Sequence, residues 1–144
     1  MSSSRSALAG ATAAAVWALQ EPLDRRLLGC DYSDVAILGK AVTRGRGWWP
    51  VGFGLHVANG AAFGLVYEQA RRRFDAPPRR LAVGLALAEH VALYPLGGVV
   101  DRCHPARGEP GLPPLLTNGR AFAQATWRHL LFGVVLGRLA APRG

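Results

Sequence analysis

The chain runs to 144 residues, half of them apolar and 18% charged, which is one domain's worth of sequence and low in charge for a soluble domain. The formal net charge of +8 raises nucleic acid as a partner. The arginines, however, stand mostly beside the ends of apolar blocks, where membrane topology accounts for them, so the expected partner is a lipid bilayer and not nucleic acid.

Four apolar blocks are separated by Arg- and Pro-rich connectors. A short polar lead carries Arg5, and an Ala-rich block follows from Ala7. Residues 1–15 have the outline of a signal peptide, with Arg5 as the basic region and Ala13, Ala14 and Ala15 resembling a cleavage site. The apolar pattern continues into Trp17 and Leu19, which favours a retained first helix over 7–28. Gln20, Glu21 and Pro22 are expected to end or kink it before it resumes toward Gly29, a natural C-terminal cap. In the connector that follows, Ser33 or Asp34 can cap a short interfacial helix, DVAILGKAV.

Residues 48–67, WWPVGFGLHVANGAAFGLVY, hold no formal charge and span roughly 30 Å as a helix, the thickness of a hydrocarbon core. They read as the centre of a second membrane helix, 48–70, with Trp48 and Trp49 at one interface and Tyr67 at the other. Next comes a basic link with Arg71, Arg72, Arg73, Arg79 and Arg80 around a Pro77-Pro78 break. A third helix over 81–100 contains Glu89 and His90, with Pro95 toward its far end. Residues 101–119 form a Pro/Gly-rich loop, and a fourth helix over 119–140 carries Arg128 and His129. The expected fold is therefore all-α, a single integral membrane domain over 1–144 with four transmembrane helices in an up-down bundle.

Lys/Arg counts in the loops tie between the two sides. Arg5, the five Arg of the 69–80 link, Arg138 and Arg143 lie on one side. Arg25, Arg26, Lys40, Arg44, Arg46, Arg102, Arg107 and Arg120 lie on the other. Five arginines in one short link are the harder set to translocate, so a multi-pass inner-membrane protein with both termini cytoplasmic is expected.

The second and fourth helices share the spacing H-x3-G-x3-G, in His56, Gly60, Gly64 and in His129, Gly133, Gly137. Steps of four place each triplet on one helix face, where glycine admits a close neighbour. ALQE ending at Glu21 resembles ALAE ending at Glu89, and each is followed by a proline and then a cysteine. The chain thus reads as two repeated helical hairpins, each supplying a Glu and a His. By rise per residue Glu21, His56, Glu89 and His129 fall within a slab about 10 Å thick near the bilayer's middle. Asn59, His90 and Arg128 join that polar layer.

Ionisable groups at such depth should face one another or a water-filled cavity. One reading is structural: Glu89 with Arg128, and Glu21 with His56 or His129, fix helix register. A second is a proton or ion path through His and raised Glu. A third is a cofactor site, with His56, Glu89 and His129 as ligands of a divalent metal, or His56 and His129 as axial ligands of a haem. The Glu-x-x-His spacing of di-iron bundles and a CxxCH attachment site are both missing. Cys30 and Cys103 fall on the same expected side, open to a disulfide, to two free thiols, or to a surface metal site with Asp31 and His104. No phosphate-binding loop, nucleophile elbow or HExxH occurs, and Ser33 has no placed base.

In length, helix count and intramembrane polar residues the chain resembles small four-pass bacterial inner-membrane proteins. No motif carries over a family activity, and the bundle with its polar midplane layer is expected to serve a structural or transport-related role without resident cofactor. The alternative is a membrane-embedded metal- or haem-binding redox protein. A Gly-lined face left uncovered on so small a bundle makes a homo-oligomer plausible.

Overall fold

The computed structural model describes residues 3–141, so Arg143 lies outside the described residues. Helix α1 (Ser3–Leu28) opens the chain. Its Ala-rich first half favours helix, and Pro22 does not end it. It stops where Gly29, at a φ of +60°, supplies the left-handed turn a side chain would resist. Helix α2 (Asp34–Val42) has nine residues and begins at Ser33, whose hydroxyl accepts from the Ala36 N–H.

Helix α3 (Trp48–Arg73) ends at the basic link, and α4 (Pro78–Leu93) begins on the second proline of the pair. A 3-10 turn at Tyr94–Leu96, where Pro95 removes a backbone donor, leads into α5 (Gly97–Cys103). Together these make one helical run, Pro78–Cys103. Residues 104–118 are irregular, and α6 (Gly119–Leu139) starts under Asn118, whose side chain accepts from the N–H groups of Arg120 and Ala121.

All-α architecture holds among the described residues, where the only bridge pairs Tyr32 with Gly111. The four-span up-down bundle does not. Among the described residues there are five helical segments, counting the 78–103 run once, and only Pro78–Cys103 is long and apolar enough to cross a membrane. The physical reason lies in what each rod contains. The second half of α1 holds Gln20, Glu21, Asp24, Arg25 and Arg26. The charge-free run of α3 is diluted by Gly, His56 and Asn59 and ends in three arginines, while α6 contains Arg120, Gln124, Arg128 and His129. Apolar blocks of sufficient length are a weaker criterion than sustained apolarity, because polar and charged residues interrupt all but one of them.

The helices stand in the order α3, α1, α6, α4, with α2 packed on α3, and α3 and α4 barely touch. Small residues make the close contacts. A side chain at Gly60 would meet Ala14 and the Gly10 carbonyl, and one at Gly133 would come within 2.7 Å of the Val83 backbone. The paired glycines are therefore covered by α1 and α4 of the same chain, not left as a face for a second copy. The main core is dominated by alanine, with Trp17, Tyr67, Phe132 and Leu136 as its larger members. Large aliphatics point outward instead, among them Leu8, Leu27, Leu65, Val91 and Leu93.

Candidate functional site

Arg128 is fully buried at the heart of the molecule. Its Nε donates to Asp24 Oδ2 and its Nη2 to Asp24 Oδ1, both at 2.7 Å, a bidentate fork. Nη1 reaches Asp34 Oδ2 at 2.8 Å and Glu21 Oε1 at 3.5 Å, and Nη2 also donates to the Tyr32 carbonyl at 2.9 Å. The guanidinium carbon lies 4.8 Å from the centre of the Tyr32 ring. Gln124, one turn earlier on α6, donates to Asp24 Oδ1 at 2.6 Å.

Three carboxylates thus surround one guanidinium. Burial, then repulsion from Asp34, pushes the Glu21 carboxyl up to about 7, against the pull of Arg128. Burial also works against charge on Asp34, but Arg128 and the hydrogen bond from the Tyr32 hydroxyl outweigh it and hold that carboxyl below its ordinary value. Tyr32 itself is pushed well above the usual phenol range by burial and by Asp34. Glu21 completes the joint between α1 and α2, accepting from Ser33 Oγ at 2.6 Å and from the Asp34 N–H at 3.0 Å.

Asp34 also borders a cavity of ≈ 280 Å³ between α3 and α4, floored by α1 and α6. Trp17 lines it and donates Nε1–H to Asp34 Oδ2 at 3.1 Å. The indole packs edge-on against His56 and His129, with ring centroids 5.0 and 4.7 Å away. Residue 56 is 6% exposed, and its Nε2 has no hydrogen-bond partner. The His129 ring bonds the Ala125 carbonyl through Nδ1 at 2.7 Å, and its Nε2 is 3.9 Å from Glu89 Oε2. Burial holds both imidazoles below their ordinary value, so they are neutral near pH 7.

His90 bonds Thr126 Oγ1 at 2.9 Å, while that hydroxyl donates to the Phe122 carbonyl at 2.8 Å. Asn59 is exposed at the cavity's margin.

The seven residues of the expected polar layer divide between two places. His56, Asn59, Glu89, His90 and His129 line the cavity, whereas Glu21 and Arg128 belong to the ion cluster behind it. The expected pairings are corrected accordingly: Arg128 takes Asp24, Asp34 and Glu21, and Glu89 lies nearest His129. Asp24, Asp34, Trp17, Tyr32 and Gln124 were missed. A signal existed for some of them, because Glu21 with Asp24 and Gln124 with Arg128 sit at helical spacings that share a face.

The cofactor and disulfide readings are not supported by this geometry. Among the described residues no group of three or more His, Cys, Asp or Glu is placed to hold a metal ion, so His56, Glu89 and His129 do not form a ligand set. A porphyrin ligated by His56 and His129 would have to displace the Trp17 indole, which packs on both rings. Cys30 and Cys103 are free thiols, the first buried and the second exposed. His104 is occupied by the Ile37 carbonyl at 2.9 Å and the Ala106 N–H at 3.1 Å, and Asp31 by the Gly111 N–H at 2.8 Å, so the expected surface metal set is not assembled either. Compared with protein-family models, with curated proteins and with solved structures, the chain matches none.

Proposed function

We propose that this chain is a membrane-embedded helical binding protein, anchored through Pro78–Cys103, whose cavity between α3 and α4 holds a small apolar molecule in a transport-related role. One observation supports it most: the helical run that is long and apolar enough to cross a membrane is largely uncovered, with 11% of its most apolar stretch buried, and it forms one wall of the cavity. In water such a surface is a liability, while against lipid it is the expected arrangement. The alanine-rich interior and outward Leu and Val side chains agree, since helices in lipid associate through small residues.

Charge supports an orientation. Arg5 donates to the Ala141 carbonyl and Arg71 to the Ala140 carbonyl, which gathers both ends of the described chain beside the basic α3–α4 link. At the other end Arg25 pairs with Asp31, and Lys40 and Arg44 with Glu109. Arg72 at the link pairs likewise with Glu68, so it is the density of five arginines in one short link that the positive-inside rule assigns to the cytoplasmic face of the plasma membrane.

The test has two parts. Membranes from cells expressing the full chain are washed at alkaline pH, and the protein is expected to stay in the pellet. The detergent-purified protein is then titrated with naphthalene by calorimetry, with saturable, stoichiometric binding expected. Release by the wash, or a purely linear partition of naphthalene, overturns the proposal.

A further inference from the structure

We propose that the cavity takes an apolar organic cation, an ammonium carried on an aromatic or aliphatic body, whose charge lies against Glu89. The inference rests on the binding role proposed above and names the ligand class for that cavity.

The chain carries a net charge of +8, yet neither Lys nor Arg lines this cavity, while two carboxylates, Asp34 and Glu89, do. Asp34 is already engaged, receiving Trp17, Tyr32 and Arg128. Behind it three carboxylates surround a single guanidinium, so negative charge prevails on that side even when Glu21 holds its proton. Glu89 is the acid left over. Among the described residues its carboxylate receives no hydrogen bond, and its ion-pair neighbour is His129, with Oε2 and Nε2 3.9 Å apart. His129 is neutral near pH 7 and so does not cancel a charge there. An ionisable group on a run that crosses lipid is costly without a partner, and a bound cation would be that partner. The Glu89 side chain is 30% exposed, which leaves it open to a ligand.

The rest of the wall suits both parts of such a molecule. Trp17, Tyr32, Phe63, Tyr94 and Phe132 line the cavity, and an ammonium is attracted to the faces of such rings, most strongly where water is excluded. Glu89 and Trp17 belong to one stretch of that wall, because the His129 ring beside the carboxylate packs on the indole at 4.7 Å. A metal ion does not suit the site, since among the described residues no three His, Cys, Asp or Glu are placed to hold one. At ≈ 280 Å³ the space is about twice the cavity of roughly 150 Å³ that admits benzene in an engineered core, so one ring with a trimethylammonium head fits.

The experiment titrates the full chain, purified in a non-ionic maltoside, with benzyltrimethylammonium and with neopentylbenzene, its neutral carbon counterpart of the same shape. Calorimetry is expected to show the ammonium binding about tenfold or more tightly. That preference is expected to fall below about twofold in Glu89→Gln and to persist in Asp75→Asn, which removes an exposed acid of the α3–α4 link. A preference that is absent from the unsubstituted protein, kept in Glu89→Gln, or lost in both variants overturns the cation assignment alone. Should neither compound bind, nor naphthalene, the binding role itself is overturned. Should Glu89→Gln not fold, proton NMR of the unsubstituted protein with benzyltrimethylammonium decides. Nuclear Overhauser contacts from the N-methyl groups to the Glu89 side chain are expected, and their absence overturns the assignment.

Discussion

Arg128 is surrounded by Asp24, Asp34 and Glu21, and the excess of acid over base leaves Glu21 as the carboxyl that keeps its proton most readily. The consequence for stability has a definite sign. Glu21 is raised from 4.5 to about 7, so between those pH values the folded chain holds a proton that the unfolded chain has released. Stability is therefore full below that window and falls as pH rises through it, by on the order of 3 kcal/mol. Thermal unfolding of the detergent-purified protein from pH 4.5 to 7.5 should show that decline. Glu21→Gln, which cannot ionise, should flatten it, and equal slopes in the two proteins would rule the explanation out.

At the scale of helices, contact is set by where glycine faces a neighbour's backbone. A methyl group on Gly64 would collide with the Ser6 carbonyl oxygen, so α3 could no longer lie against α1 at its present distance. Gly84, on the outward side of α4, has nothing within 4 Å. Gly64→Ala is expected to cost about 1–3 kcal/mol through forced separation of the helices. Gly84→Ala should be neutral or add up to about 1 kcal/mol through helix propensity. Thermal denaturation followed by helical circular dichroism checks both, and similar effects at the two sites would show that propensity, not contact, governs.

For the molecule as a whole, the irregular stretch 104–118 acts as a lid, tied to α2 by Lys40 to Glu109 and by His104 to the Ile37 carbonyl. Its Leu115 packs over Cys30, Tyr32 and Ala121, and burial pushes the Cys30 thiol above its ordinary value. Cys103 lies outside this cover. N-ethylmaleimide should therefore modify Cys103 in the folded protein and reach Cys30 only after unfolding, as mass spectrometry of the peptides would report. Rapid native modification of both would mean that the lid does not close as described.

Helices could be placed from the chain alone because their signals are local. Ser33 and Gly29 mark ends, prolines mark interruptions, and H-x3-G-x3-G marks faces of close approach. All-α character was legible in the same way, and so were five of the seven residues of the expected polar layer, His56, Asn59, Glu89, His90 and His129, which line the cavity. Which acid meets Arg128 was not. Asp24 and Asp34 sit beside charged or looping sequence that reads as surface, and only the packing of α1, α2 and α6 takes both out of solvent. Nor could spacing reveal that Trp17 stands against His56 and His129, because residues from three helices meet there only once the rods are packed. Periodicity along one strand of sequence fixes the face a residue occupies, while its partner is a property of how separate helices pack.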